Sequence, residues 1–339
     1  MSKRIEFLDL AKGICITLVV VNHICAFYKL QMPAPDLFKA FRMPLYFFLS
    51  GFFFKTYSGF FDFFKRKVNK LLVPFLFWFL LCSVCITLFV SQVFGVQLEN
   101  ANYSTFLGSL RALIFGEVFS NSAIWFLLCL FEVNILFYII VLLSERFKLG
   151  IVSMCVMTAL LGCLGITMGL LRINLPIYID SSLSALPFFV FGYFINRYTS
   201  IVHPNRFDKL NLPIAIVFFI IIYFFAGHYS LKFNYYDSVS TALFVYPCGI
   251  LGTMGVFLIS KAIKKIPVVS WWGRYSIMIL VTHKMLFQLF APIITMFGLS
   301  VRWELILNMV FTFSSYFLLI PFMKKYMPHV TAQKDVIKV

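Results

Sequence analysis

Apolar runs of about 20 residues, separated by charges, prolines or turn residues, recur along the whole of this 339-residue chain. This spacing is the strongest constraint on its fold. A helix needs about 20 apolar residues to cross the hydrocarbon of a bilayer, and within a bilayer only helices and closed barrels satisfy their own backbone. Ten runs qualify: 7–28, 38–55, 71–94, 122–144, 149–171, 182–198, 212–228, 241–260, 274–296 and 303–323. Composition excludes a soluble globule, because 61% of the residues are hydrophobic, 44 of them Phe, and only 12% are charged. That leaves too little polar surface to cover a soluble protein of this size. The expected fold class is an all-α polytopic membrane protein with about ten transmembrane helices and no extramembrane domain.

The net charge of +16 would point to nucleic acid in a soluble domain, but here the distribution of the charge decides. With the N-terminus inside, 20 Lys and Arg fall in inner loops and seven in outer ones, while Lys12 and Lys284 lie within spans. Positive residues concentrate on the cytoplasmic side, so both termini are expected there, with a short cytoplasmic tail over 331–339. No nucleic-acid partner is expected. The Lys3-Arg4 start followed by an apolar run resembles a signal peptide. Glu6, Asp9 and Lys12 interrupt that run, however, and it lacks a small-x-small cleavage site, so the first span is expected to stay in the membrane. All eight Cys fall in apolar stretches, which indicates neither a disulfide framework nor a metal site. The segment from Phe60 to Lys70 sets aromatics beside a dense basic cluster, as in an interfacial helix held by anionic membrane lipid.

Ionisable residues inside a span are costly and face a partner or an aqueous cavity. The first span holds Asp9, Lys12 and His23. At about 100° and 1.5 Å per residue, Lys12 and His23 share a face to within roughly 20° and stand roughly 16 Å apart. Asp9 is spaced for an i,i+3 pair with Lys12. His23 falls in the outer half of the membrane, where a neutral imidazole is suited to accept a hydroxyl proton and return it; the competing reading is a histidine satisfied by a neighbouring helix. His283 and Lys284 lie roughly 13 Å above Arg274, near mid-membrane. Glu132 stands at a similar depth in the fourth span, as an acid partner to a histidine or an ion pair to Lys12 or Lys284. Arg42, at the outer end of the second span, is placed to stabilise an oxyanion or hold an acidic acceptor. Gly165-x-x-x-Gly169 and Gly249-x-x-Gly252-x-x-Gly255 read as close helix packing, and Pro44 and Pro74 as bends or helix starts.

Five segments in order carry a family resemblance. They are Arg4-Ile-Glu-Phe-Leu-Asp-Leu-Ala-Lys-Gly-Ile-Cys-Ile-Thr-Leu-Val-Val-Val-Asn-His23, Phe41-Arg-Met-Pro-Leu-Tyr-Phe-Phe-Leu-Ser-Gly51, Lys67-Val-Asn-Lys-Leu-Leu-Val-Pro74, Trp125-Phe-Leu127 and Trp271-Trp-Gly-Arg-Tyr-Ser-Ile-Met-Ile-Leu-Val-Thr-His283. Over nearly the whole chain the sequence resembles the integral-membrane acyltransferase family three, which O-acylates bacterial surface carbohydrates. The resemblance implies a single acyltransferase domain over 1–330 in the inner (plasma) membrane. Acyl-CoA, expected to be acetyl-CoA, would be a co-substrate taken from the cytoplasm, and a carbohydrate or lipid-linked glycan the acceptor. Neither a permanently bound cofactor nor a metal is implied, and a homo-oligomer is left open.

The resemblance also implies that His23 is the essential histidine and His283 a second catalytic candidate, to which the depth of Glu132 in its span adds a third. The family's Arg eleven residues before that histidine is Lys12 here, and its Arg-x-x-Arg is Lys67-x-x-Lys70 with Arg66 adjacent; each keeps the charge but loses bidentate geometry. Lys12, Arg66, Lys67 and Lys70 are thus the expected coenzyme contacts, since lysine binds phosphate as a point charge, while topogenic charge is the competing account of the cluster. Arg42 and Asp9 are the expected substrate contacts. General-base and acyl-histidine routes both fit the residues. The alternative function is a carrier or exporter of a polysaccharide or lipid-linked sugar, with in-membrane charges lining its path.

Overall fold

The computed structural model describes residues 5–86, 106–115 and 121–339, apart from 205, 207 and 231. The far part of the expected third span, most of the loop 95–121, and Lys3 and Arg4 lie outside the described residues. Those described are almost wholly helical. In order they form α1 (Glu6–Phe27), α2 (Pro35–Phe52), α3 (Phe60–Lys67), a π-turn (Val68–Leu72), α4 (Val73–Leu80), α5 (Phe106–Ile114), α6 (Trp125–Arg146), α7 (Ile151–Leu171), α8 (Ile179–Tyr198), α9 (Asn211–Phe225), α10 (Val239–Ile263), α11 (Pro267–Arg274), α12 (Ser276–Thr295) and α13 (Val301–Tyr326). Eight helices among them are long and apolar enough to cross a membrane. Of the other two expected spans, α2 is 18 residues long and carries Asp36, Lys39 and Arg42, and the third is interrupted by π-turns. The protein is an all-α multi-pass membrane protein.

The chain packs into two compact units. The first contains Met1–Ile16, Ala34–Phe63 and Cys129–Arg274, and the second Thr17–Pro33, Phe64–Leu128 and Tyr275–Val339.

In the first unit, backbone-to-backbone approach decides the packing. A Cβ at Gly51 of α2 would meet the Phe189 carbonyl of α8, and one at Gly192 would meet that of Phe48. These two glycines let α2 and α8 touch, as small residues do in membrane interfaces, where hydrophobicity supplies no drive between helices. Gly13 and Gly273 do the same for α1 and α11: a Cβ at Gly273 would run into the Asp9 carbonyl, and one at Gly13 into that of Val269. The stripe Gly249, Gly252 and Gly255 accommodates Phe188, Phe41 and Phe219, and Gly165 accommodates Ser184. Both stripes therefore serve packing, as expected. Around this centre, α7 and α9 are mostly exposed, whereas α6 and α8 are mostly buried; the former turn their apolar residues toward lipid. Two consecutive residues in the left-handed region, Ile177 (φ 57°) and Tyr178 (φ 70°), turn the chain into α8. Pro44 lies inside α2 rather than at a helix start.

In the second unit α12 packs on α13. Asn308 of α13, fully buried, donates to the Phe287 carbonyl at 3.0 Å and to the Tyr28 hydroxyl at 3.0 Å. Helix α3 is short and amphipathic, with Phe61 exposed and Lys65, Arg66 and Lys67 in its last turn. It enters α4 through the π-turn, which the Val73 N–H closes on the Val68 carbonyl. Pro74 follows directly. It has no N–H to return to the preceding turn, and a π-bulge is one way a helix absorbs that loss.

Candidate functional site

The second unit joins the two histidines. His23 of α1 and His283 of α12, 260 residues apart in sequence, meet with His23 Nδ1 2.7 Å from His283 Nε2. Their rings are stacked at 5.0 Å with planes 20° apart. His283 is fully buried, and its Nδ1 lies 2.9 Å from the Ile279 carbonyl oxygen. A carbonyl only accepts, so His283 Nδ1 carries the hydrogen. In a neutral His283, Nε2 is then the acceptor, which requires His23 Nδ1 to be the donor. A neutral His23 consequently has its basic lone pair on Nε2. His23 itself is only half-buried, so the reachable imidazole stands in front and the inaccessible one behind it. This order of an oriented base backed by a second group is the general pattern for proton transfer.

Lys284, next in sequence, is largely buried and donates to Ser122 Oγ at 2.8 Å. Behind it, Asn121 donates to the Val281 carbonyl at 2.9 Å and so fastens the start of α6 to α12.

The basic cluster lies in the same unit. Arg66 and Lys67 end α3, and Lys70 sits within the π-turn. Burial pulls the Lys67 ammonium down to about 8. Lys70 is half-exposed and pairs with Asp335 at 3.0 Å. Asn69, which the sequence reading passed over, is fully buried and bonded to the segment that follows α13. Its only sequence signal is an amide set between two lysines ahead of an apolar span.

The remaining candidates belong to the first unit. The Lys12 ammonium lies 5.6 Å from the centre of the Phe53 ring, a cation–π distance, and the Lys12 carbonyl accepts from Tyr46 at 3.0 Å. Glu132 accepts from Ser182 Oγ at 2.6 Å. Of the partners weighed for Glu132 from sequence, a serine was not one. Arg42 is among the largest fully buried side chains. Asp9 lines an open cleft of about 210 Å³ with Glu6, Lys265, Trp271 and Arg274, across which Lys265 pairs with Glu6 at 3.0 Å.

Comparison with known proteins bears on the chemistry. The family model described as an acyltransferase domain, that of acyltransferase family three, matches residues 5–323. Neither the curated proteins nor the solved structures give a match. The matched stretch contains both histidines, the basic cluster, helices α1 through α12 and most of α13, so the chain belongs to acyltransferase family three and is a multi-pass membrane acyltransferase.

Proposed function

We propose that the protein moves an acetyl group from cytoplasmic acetyl-CoA to a hydroxyl of an extracytoplasmic or lipid-linked carbohydrate in the inner membrane, with His23 as general base. The observation that carries this reading is the His23–His283 pair and the tautomer it favours. His23 Nε2 takes the proton of the acceptor hydroxyl as that oxygen attacks the thioester carbonyl carbon. The C–S bond then breaks, and the proton passes from His23 to the departing thiolate, leaving an O-acetyl ester and free coenzyme. The neutral imidazole is regenerated, and no external oxidant or base is consumed. The acyl-histidine route uses the same Nε2 as nucleophile.

Support for the donor comes from the basic rim. A coenzyme A molecule carries a 3′-phosphate and a pyrophosphate, and Arg66, Lys67 and Lys70 lie together at the foot of α4. The test is twofold. Purified protein should release coenzyme thiol from acetyl-CoA only when a glycan acceptor is present, and mass spectrometry should find surface glycans short of O-acetyl groups when the gene is deleted. A carrier would leave acetyl-CoA intact, and deletion would then change the amount of surface glycan without changing its acetylation.

A further inference from the structure

After α13 the chain does not run off into solvent but folds back along the π-turn. Thr331, fully buried, donates to the Met327 carbonyl at 2.8 Å, and the N–H groups of Gln333 and Lys334 close on the Pro328 carbonyl at 2.8 and 3.0 Å. These bonds make a folded knot rather than a loose extension. Three side chains of the α3–α4 region hold it. Asn69 donates from Nδ2 to the Ile337 carbonyl at 2.8 Å and accepts at Oδ1 from the N–H groups of Val336 and Ile337 at 3.0 and 2.9 Å. Trp78 Nε1 donates to the Val330 carbonyl at 3.0 Å. Lys70 donates to the Ala332 carbonyl at 3.0 Å and pairs with Asp335 Oδ1 at 3.0 Å.

An amide that reads a strand of backbone on both its donor and acceptor sides makes a specific contact, and a buried amide left unpaired is expensive. The Lys70–Asp335 pair is different in kind. Both side chains are about half-exposed, 46% and 39%, and such pairs hold weakly. Both ends of the segment are thus tied firmly, at Val330 and at Val336–Ile337, while the carboxylate over the basic rim is tied loosely.

We infer that residues 330–337 form an intramolecular strap that competes with the anionic head of the acyl donor for Lys70, with Asp335 standing where a donor phosphate would bind. This rests on the reading above that the basic rim binds the donor. In the strapped state Lys70 is spent on the chain's own carboxylate and carbonyl, so the apparent donor affinity falls by the fraction of molecules strapped. A donor phosphate, bearing more charge than a carboxylate and more acceptor oxygens, displaces both Asp335 and the Ala332 carbonyl from Lys70 and so loosens residues 332–335 between the Trp78 and Asn69 contacts.

The full-length protein tests this through its KM for acetyl-CoA. Asp335→Asn, which keeps shape and removes charge, should lower that KM about two- to fivefold, the range set by the strength of a half-exposed pair, with kcat unchanged. Lys70→Ala should raise it, and Asp335→Asn should have no further effect on the Lys70→Ala protein. If Lys70→Ala leaves the KM where it was, the donor reading of the rim fails and the strap's role falls with it. If Lys70→Ala raises the KM but Asp335→Asn leaves it unchanged or raises it, the donor reading stands and the strap is only a structural support. Tryptic cleavage of the wild-type protein after Lys334 supplies a readout free of variants and turnover. Free coenzyme A should accelerate that cleavage, and an unchanged or slower rate would overturn the competition.

Discussion

At the residue scale the account rests on two imidazoles and one carbonyl. Because Ile279 fixes the proton on His283 Nδ1, His283 acts on the reaction only through His23, which makes it a positioning residue. His283→Ala should therefore lower kcat while leaving the KM for acetyl-CoA unchanged, since an interaction needed only on the way to the transition state is lost. His283→Gln, whose side-chain oxygen accepts from the His23 Nδ1–H, should recover part of the loss. A uniform failure of both variants with early melting would mark His283 as a packing residue only. Both histidines were visible in the sequence as members of separate motifs, but their contact was not. Helical periodicity relates residues a few turns apart and says nothing about two helices separated by 260 residues. Glu132 shows the same limit: its depth was readable, whereas its partner Ser182 lies 50 positions away.

At the scale of the element, the α3–π–α4 segment is where local sequence and tertiary structure met most unevenly. The Phe-rich basic helix was legible, since α3 exposes Phe61 and ends in three cations. The π-turn and the strap were not, because they depend on Asn69 meeting backbone some 268 residues further on. The depressed Lys67 ammonium gives this element a pH signature. Its charge is present below about 8 and is lost as pH rises through that value, whereas an ordinary lysine holds its proton to about 10.4. The KM for acetyl-CoA should accordingly rise between pH 7.5 and 9. Lys67→Arg, which stays charged, should flatten that rise, and an unchanged pH profile in the arginine variant would remove Lys67 from donor binding.

The glycine contacts set a second expectation. Gly51→Val should destabilise the α2–α8 crossing by about 1–3 kcal/mol or more, as overpacking does, and lower the melting temperature in detergent. Gly150→Ala, with nothing within 4 Å of its added Cβ, should melt like wild type, and equal behaviour of the two variants would contradict the close approach. The packing role of Gly165, Gly249, Gly252 and Gly255 was readable from their spacing, whereas that of Gly51, which faces the Phe189 carbonyl, was not.

At the scale of the whole molecule, contacts inside each unit join segments that the positive-charge count puts on the same side. In the first, Glu6 meets Lys265 and Asp208 meets Lys261, all from loops counted as inner. Arg172 lies 5.1 Å from the Tyr235 ring, both from loops counted as outer, and Asp36 of another outer loop meets His228 at the outer end of an expected span. In the second, Lys70 meets Asp335, again from two inner segments. Hydropathy sufficed for the all-α multi-pass organisation because the bilayer imposes it on every span alike. Alkaline-phosphatase fusions after Lys67 or after Lys325 should be inactive and one after Phe297 active; the reverse pattern would invert the map. The central claim is acyl transfer run from His23, and the most direct test is turnover of acetyl-CoA plus glycan by purified wild-type and His23→Ala protein, with acetyl-CoA binding and detergent melting measured on the same samples. Turnover should fall by about 10²–10⁴ with binding and melting retained. A His23→Ala protein that still transfers acetyl groups at close to the wild-type rate would contradict it.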